Sequence, residues 1–331
     1  MKAIIYTQYG PPEVMQIVEL DKPVPKDDEI LIKTHASTVT SGDWRARSLI
    51  LPRGFGWMAR LMFGITKPRN PILGTEIAGE VEAIGMDVTK FAVGDEVFAN
   101  NDTGMGCSVE YKCMPQDGAV VLKPAALFYD EAAAMSFGGA TALIFFRRGN
   151  LQSGEKVLIN GASGGVGTAA VQLAKHFGAE VTAVCSAANE ELVRSLGADH
   201  VIDYTSTDFT QNGETYDVII DILGRSSFSQ CKVSLTPHGT YFLVSFKMKP
   251  VLQTLWTKYF GGKRVMATFG SDKAADLLEA KELIEAGKIA PIVDKTFPLA
   301  QAAKAHRYYE SAERAGGVAI IVDDNLVPEG D

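Results

Sequence analysis

Short apolar runs alternate with helical patterns through the middle of the chain. Helical periodicity covers residues 166–177 and 189–196, and the apolar runs occupy residues 155–160, 180–185, 200–204, 217–221 and 239–245. Runs of this length without polar alternation are typical of parallel strands that are buried on both faces. The pattern therefore predicts an α/β fold with a doubly wound, Rossmann-type parallel sheet.

The two ends of the chain have a different pattern. Short alternating segments at 29–34, 77–84 and 95–98 are separated by Gly, Pro and Asp, which indicates an irregular, largely antiparallel β-domain. Near the C-terminus, the spacing predicts helices at 274–285 and 299–311 and a closing strand at 317–322.

A glycine-rich segment directly follows the first predicted parallel strand. It reads Gly161-Ala-Ser-Gly-Gly-Val-Gly167 and leads into the helix at 166–177. Small residues here let the backbone approach a pyrophosphate and let helix and strand pack closely, while the helix N-terminus offers unpaired N–H groups. A plain tight turn is the alternative. In its strand–loop–helix context we interpret the segment as a dinucleotide-binding loop, with cofactor contacts from Ala162, Ser163, Gly164, Gly165, Val166 and Gly167.

Composition and charge narrow the class of protein. The chain has 331 residues, 46% hydrophobic and 22% charged, which suits two globular domains. A net charge of −8 argues against nucleic-acid binding and against attraction to anionic membranes. No apolar segment reaches the roughly 20 residues of a membrane span, and no signal-peptide cleavage pattern is evident, so we expect a cytoplasmic protein. The four cysteines form no paired C-x-x-C sets, which disfavours a four-thiolate zinc site.

Several segments in one order resemble a known family. They are Met1-Lys-Ala-Ile, Pro25-Lys-Asp-Asp-Glu-Ile-Leu-Ile-Lys, Leu73-Gly-Thr-Glu-Ile-Ala-Gly-Glu-Val, Phe91-Ala-Val-Gly-Asp-Glu-Val, Gly161–Gly167 and Leu196-Gly-Ala-Asp-His-Val-Ile-Asp-Tyr204. Together they resemble a medium-chain dehydrogenase/reductase of the zinc-free, zeta-crystallin-like quinone oxidoreductase branch. The resemblance implies a GroES-like domain of residues 1–123 plus 264–331, an inserted Rossmann domain of residues 124–263, a nicotinamide in the cleft between them, and a homodimer.

The same resemblance bears on metal binding. The Cys, His and Cys that hold catalytic zinc in the family's alcohol dehydrogenases fall here on Thr40, Thr75 and Phe137, and the proton-relaying hydroxyl falls on Gly42. These are not zinc ligands, so we expect no metal. Glu76 matches an acidic residue beside the histidine ligand, and we interpret it as structural rather than catalytic.

The resemblance also assigns candidate catalytic residues. Thr40 stands where quinone oxidoreductases often have Asn and is a candidate donor to the acceptor carbonyl. Arg45 is a candidate to stabilise enolate or quinol charge, with a solvated surface arginine as the alternative. Thr141 matches a threonine beside the nicotinamide ring, with simple helix packing as the alternative. Asp43 and Arg47 are interpreted as residues that hold the fold.

The end of the second parallel strand bears on the choice of cofactor. Residues 184–188 contain no carboxylate to bind a ribose 2′-hydroxyl, so the 2′-phosphate of NADPH is not repelled there. Ser186 is a candidate partner for that phosphate. The resemblance adds Tyr204 and Arg314, and Ser245 is assigned to the same cofactor site. Ala188 lacks the basic side chain that many relatives have, but NADPH remains the predicted cofactor.

Two functions from different classes follow. The first is an NADPH-dependent reductase of quinones or α,β-unsaturated carbonyl compounds. The second is a catalytically weak NADPH-binding sensor or crystallin-like structural protein.

An apolar segment at 53–64 is interpreted as a lid helix over the substrate or as a small satellite core, and less readily as a membrane-touching helix. Its apolar side chains are Phe55, Trp57, Met58 and Met62.

Overall fold

The fold is that of a computed structural model, which describes residues 1–50, 60–61, 63–101, 104–243, 253–254, 256–257, 262–267, 274–311 and 313–323. The strands are β1 (Lys2–Tyr6), β2 (Met15–Glu19), β3 (Glu29–Val39), β4 (Glu76–Ile84), β5 (Glu96–Asn100), β6 (Tyr111–Pro115), β7 (Val120–Leu122), β8 (Lys156–Asn160), β9 (Glu180–Cys185), β10 (His200–Asp203), β11 (Tyr216–Asp221), β12 (Leu235–Leu243), β13 (Arg264–Ala267), β14 (Val293–Pro298) and β15 (Gly317–Ile321). The helices are α1 (Ser41–Ser48), α2 (Tyr129–Gly149), α3 (Gly165–His176), α4 (Glu190–Ser195), α5 (Phe228–Cys231), α6 (Ala274–Glu285) and α7 (Ala302–Glu310).

The apolar runs of the middle region form a six-stranded parallel sheet. Its order is β10-β9-β8-β11-β12-β13, so the strand order reverses between β8 and β11. Val157 and Ile159 of β8 pack into one core and Leu158 into another on the opposite face, and all three are fully buried. Burial on both faces explains why these strands show no polar alternation. The predicted Rossmann sheet is confirmed.

β1 and β2 pair in a separate two-stranded sheet, and strands from both the N-terminal and the C-terminal part of the chain form a larger, mixed sheet. Its order is β14-β15-β3-β4-β5-β7, with β6 also paired to β3. The C-terminal β15 lies antiparallel to β3, with Val318 opposite Val39. The C-terminal part of the chain therefore completes the N-terminal sheet, and the Rossmann sheet is inserted between them, as expected. The proposed boundary at residue 264 cuts ahead of β13, which pairs with β12 and so lies in the six-stranded sheet.

The helix α2 connects the two halves. It spans 21 residues and packs against α3 on one side and against β3 and β4 of the mixed sheet on the other. A Cβ on its Gly138 would lie 3.0 Å from the Gly165 carbonyl oxygen, so a glycine permits this close contact with α3. Despite its length, neither α2 nor another helix of the described residues is long and apolar enough to cross a membrane.

Candidate active site

A cavity of about 500 Å³ lies at the carboxyl end of the six-stranded sheet. One wall is the glycine-rich loop after β8 together with the end of β9. The other wall comes from the mixed-sheet half and includes Thr38, Thr40, Arg45 and Glu76. The cavity lies where the strand order reverses, which is the position at which open α/β sheets bind ligands.

The glycine-rich loop is shaped by two different constraints. A Cβ on Gly167 would lie 2.7 Å from Ala162 Cα and still closer to the Gly161 carbonyl oxygen, so only glycine fits there. In front of Gly164 the space is open, and the nearest atom to an added Cβ is Nη1 of Arg314 at 3.6 Å. The first N–H groups of α3 therefore face a cavity that can admit a phosphate.

The loop is joined to the mixed-sheet half by a backbone bridge. The N–H of Gly316, just before β15, donates to the Ser163 carbonyl oxygen at 2.7 Å, and Gly164 pairs with Gly316. Arg314 precedes this bridge, and its guanidinium carbon lies 4.0 Å from the centre of the Tyr309 ring. The Arg314 guanidinium therefore lies beside Gly164, at the open space in front of the glycine-rich loop.

The other predicted cofactor residues are divided between the cavity wall and its support. Ser163, Gly165, Val166, Ser186 and Tyr204 line the cavity. Ala162 and Gly167 are buried behind the loop, where they set its shape. Ser245 and the lid residues Phe55, Trp57, Met58 and Met62 lie outside the described residues.

Sequence reasoning missed Arg225, which also lines the cavity. It follows β11 in a turn fixed by Asp221, whose carboxylate accepts the N–H groups of Gly224 at 3.0 Å and Ser226 at 2.9 Å. The available signal was a basic residue just beyond a parallel strand that ends in a buried carboxylate. Arg225 adds positive charge to the cavity wall at the end of β11.

Thr141 lies deeper than expected. Its side chain is fully buried in α2 and is not part of the cavity wall, although Phe137 and Gly138, one turn earlier, are. Its hydroxyl has no hydrogen-bond partner among the described residues. An orphaned buried hydroxyl is costly, and it is consistent with a polar ligand group entering from the cavity. The predicted nicotinamide contact of Thr141 stays a prediction.

The three positions that correspond to the family's zinc ligands do come together. Thr40 and Thr75 lie side by side, with 3.1 Å between their hydroxyl oxygens, and Glu76 accepts the Phe137 N–H at 2.8 Å. Hydroxyl and phenyl groups are poor ligands for zinc. Within the described ranges there is no cluster of three or more His, Cys, Asp or Glu side chains that is suited to a metal ion.

Thr40 has a structural task that the sequence did not indicate. It is the N-cap of α1, and its hydroxyl donates to the Asp43 carboxylate at 2.7 Å while the Thr40 N–H donates to the same carboxylate at 2.8 Å. Asp43 also accepts the Gly74 N–H at 2.8 Å. These hydrogen bonds lower the pKa of Asp43, but burial has the larger effect, so its pKa is raised. The single proton of the Thr40 hydroxyl is thus already donated. The expected donation to a substrate carbonyl requires this bond to break.

Two arginines of α1 have opposite environments. Arg47 is fully buried, donates to the Gly10 carbonyl oxygen at 2.6 Å and forms an ion pair with Glu310 of α7. Arg45 faces the cavity, where burial lowers the pKa of its guanidinium. Its guanidinium has no hydrogen bond or ion pair within the described part of the chain. An unpaired guanidinium in a half-buried cavity wall is available for an anionic ligand group.

Glu76 opens β4 at the inner end of the cavity, and its carboxylate is held by three donors. Besides Phe137 N–H, these are the hydroxyls of Thr38 and of Ser136. Ser136 lies 3.2 Å from the carboxylate and shares its one hydroxyl proton with the Ala133 carbonyl oxygen at 2.9 Å. Burial raises the pKa of Glu76 to about 8 even so. No basic side chain of the described residues forms an ion pair with it. Burial therefore favours the protonated form of this carboxyl group.

The sheet order, the glycine-rich loop and the cavity together form a site that suits a dinucleotide cofactor. Residues 26–140 match the family described as the alcohol dehydrogenase GroES-like domain, and residues 196–320 match the zinc-binding dehydrogenase family. The chain belongs to the medium-chain dehydrogenase/reductase superfamily, in its quinone oxidoreductase-like branch.

Similar proteins cover nearly the whole chain. A chloroplastic quinone oxidoreductase of Triphysaria versicolor is 32% identical over 92% of this chain and 93% of its own. A mitochondrial NAD(P)H oxidoreductase of Bos taurus is 30% identical, with 97% and 89% covered. A 2-methylene-furan-3-one reductase of Solanum lycopersicum is also 30% identical, with 97% and 79% covered. The solved quinone oxidoreductase from Coxiella burnetii is 28% identical with a TM-score of 0.86, and the match covers 97% of this chain and 99% of that one.

Proposed function

We propose that the protein is an NADPH-dependent, zinc-independent reductase of quinones and α,β-unsaturated carbonyl compounds. The observation that carries the proposal is one cavity that joins the glycine-rich loop to a substrate end containing an unpaired Arg45 and no cluster of metal-ligating side chains in the described residues. When bound, the nicotinamide supplies hydride. Without a Lewis acid, an intrinsically electrophilic acceptor is required, and quinones and enones meet that condition.

The names of the relatives support this choice of acceptor. Two of the proteins described above are named quinone oxidoreductases, and a third is named for a furanone with a methylene group next to its carbonyl. In the proposed reaction Arg45 stabilises the negative charge that develops on the acceptor oxygen. Thr40 shapes the acceptor end of the cavity. Thr141, whose buried hydroxyl lies one turn of α2 beyond the cavity wall, stays a candidate for a nicotinamide contact.

A screen for NADPH oxidation with simple quinones and enones tests the proposal. We expect turnover with several of these acceptors and none with plain ketones or alcohols. Tight NADPH binding without oxidation in the presence of every acceptor would instead favour the sensor or crystallin-like alternative.

We predict that the activity of the protein does not depend on zinc. Purified protein should contain no stoichiometric zinc and should keep full activity in a strong chelator, because Thr40, Thr75 and Phe137 offer no zinc ligand. Elemental analysis and a chelator titration of the rate measure both. One tightly bound zinc per chain, or loss of turnover in chelator, would contradict the assignment.

The cofactor preference is tested at Ser186. NADPH should bind at least roughly tenfold more tightly than NADH, because hydrogen bonds to a charged group contribute about 1.5–3 kcal/mol. Ser186→Asp should reduce or reverse this preference, since a carboxylate repels the 2′-phosphate and accepts a ribose hydroxyl. Calorimetric titration with both cofactors measures the ratio, and Ser195→Asp on the exposed part of α4 is the control for added charge. Equal affinities in the unmodified protein would contradict the NADPH assignment.

Assembly and location remain predictions. The homodimer is expected from the family, and sedimentation of the purified protein tests it. The cytoplasmic expectation is likewise open, because relatives named above are described as mitochondrial and chloroplastic.

A further inference from the structure

Glu76 lies where the cavity meets both halves of the molecule. Its strand β4 belongs to the mixed sheet, while two of the three groups that donate to its carboxylate, Ser136 and the Phe137 N–H, belong to α2. Thr38 of β3 supplies the third. The side chain is only 4% exposed but forms part of the wall of the cavity, near Thr40 and Phe137.

The charges around Glu76 favour its neutral form. Asp43 of α1 is buried near it and opposes a negative charge there. Burial raises the pKa of the Cys107 thiol, in the loop before β6, to about 12, so this neighbour is neutral. Arg45 lines the same cavity but forms no ion pair with Glu76 in the described structure. The neighbouring Asn100 of β5 is uncharged, and the residues of α2 that contact Glu76 do not titrate. These surroundings, with no cation paired to the carboxyl group among the described residues, favour the protonated form of Glu76.

We propose that Glu76 is the acid that delivers the proton to the reduced acceptor. This inference rests on the proposed reductase function. Hydride addition to an enone breaks the C=C π bond and moves an electron pair onto the carbonyl oxygen. The O–H bond of Glu76 then breaks, its proton forms a new O–H bond on that oxygen, and the electron pair stays on the carboxylate. A proton from water restores the acid after the product leaves.

The three donors around the carboxylate suit it to this task. Once the proton has left, Thr38, Ser136 and the Phe137 N–H stabilise the anion, so the cost of burying the charge is partly offset. Burial raises the pKa of Glu76 to about 8, and a general acid works best when its pKa lies near the working pH.

Glu76→Gln tests the inference with little change in shape. The amide oxygen still accepts from Ser136 and Phe137, and the amide nitrogen donates to Thr38, but no proton can be transferred. We expect the single-turnover rate with saturating NADPH and an enone to fall about 10²-fold, the low end for lost general acid catalysis. The NADPH dissociation constant and the melting temperature should stay unchanged. Glu80→Gln, the same substitution at an exposed position of β4, is the matched control and should keep the full rate.

The pH profile separates proton delivery from a merely structural role. In the unmodified protein the rate should be constant below pH 8 and fall about tenfold per pH unit well above about 8, because the acid is then lost. In Glu76→Gln the rate should no longer fall at alkaline pH. The slowing of the single-turnover rate in heavy water, which proton transfer from Glu76 causes in the unmodified protein, should also be lost. The profile of the unmodified protein remains a test if the variant does not fold.

Each outcome is decisive. A full rate in Glu76→Gln, or a flat alkaline profile in the unmodified protein, would overturn the inference while the reductase function stands. If the unmodified protein reduces no quinone or enone although NADPH binds, the proposed function itself fails, and the assignment of Glu76 fails with it.

Discussion

Gly167→Val is expected to abolish NADPH binding. A side chain at this position would press against Ala162 and the Gly161 carbonyl oxygen and force α3 away from the loop. Overpacking of this kind typically costs about 1–3 kcal/mol and sometimes more. Because the displaced atoms carry the N–H groups that face the phosphate, the loss should appear in binding as well as in stability.

Two neighbouring glycines provide the comparison. At Gly165 an added Cβ meets nothing closer than 3.9 Å, so Gly165→Ala should retain or slightly increase the melting temperature, as alanine favours a helix. At Gly164 the protein leaves room, but the pyrophosphate needs it, so Gly164→Ala should fold normally and bind NADPH weakly. Calorimetric titration and thermal unfolding separate these cases. Normal NADPH affinity in Gly167→Val would show that the loop does not hold the cofactor.

Arg45→Ala is expected to lower the hydride-transfer rate by about 10²–10³, the typical loss when one donor to a developing oxyanion is removed. The Arg45 guanidinium lies in the cavity wall and has no partner among the described residues. Its charge is therefore available to stabilise the acceptor oxygen. Folding should be little affected, because no described ion pair or hydrogen bond is lost. Single-turnover kinetics at saturating NADPH measure the effect without a contribution from cofactor binding.

Arg47→Ala, two residues along the same helix, is the matched control. This change removes the hydrogen bond to the Gly10 carbonyl oxygen and the ion pair with the partly exposed Glu310, and should destabilise the protein by about 1–3 kcal/mol. The two variants therefore separate a chemical role from a structural one. If Arg45→Ala kept the full hydride-transfer rate, the acceptor charge would have to be stabilised by another residue.

The Rossmann half was predictable because its signals are local. The run before Asn160, the small residues of the loop and the periodicity of α3 lie next to one another in the chain, so local pattern fixes strand, turn and helix. The predicted helix at 166–177 differs from α3 by one residue at each end. The helix α6 has the predicted bounds of 274–285.

The substrate end was less predictable because it depends on contacts distant in sequence. The contact between Glu76 and Phe137 joins residues 61 positions apart, and no local pattern indicates it. The helix α2 is rich in Ala and Gly and buried on nearly all sides, so it lacks the polar stripe that marks an amphipathic helix. For the same reason, the depth of Thr141 and the environments of Arg45 and Arg47 required the folded structure.

The bridge between Ser163 and Gly316 has a consequence for protein engineering. A chimera that exchanged only the inserted nucleotide domain with a relative would pair a foreign loop with a native C-terminal segment. Gly316 has a φ of +105° and sits against the Ile292 carbonyl oxygen, so this segment has little freedom to adjust. A functional exchange should therefore carry residues 313–317 along with the insert, although they lie in the other half of the molecule.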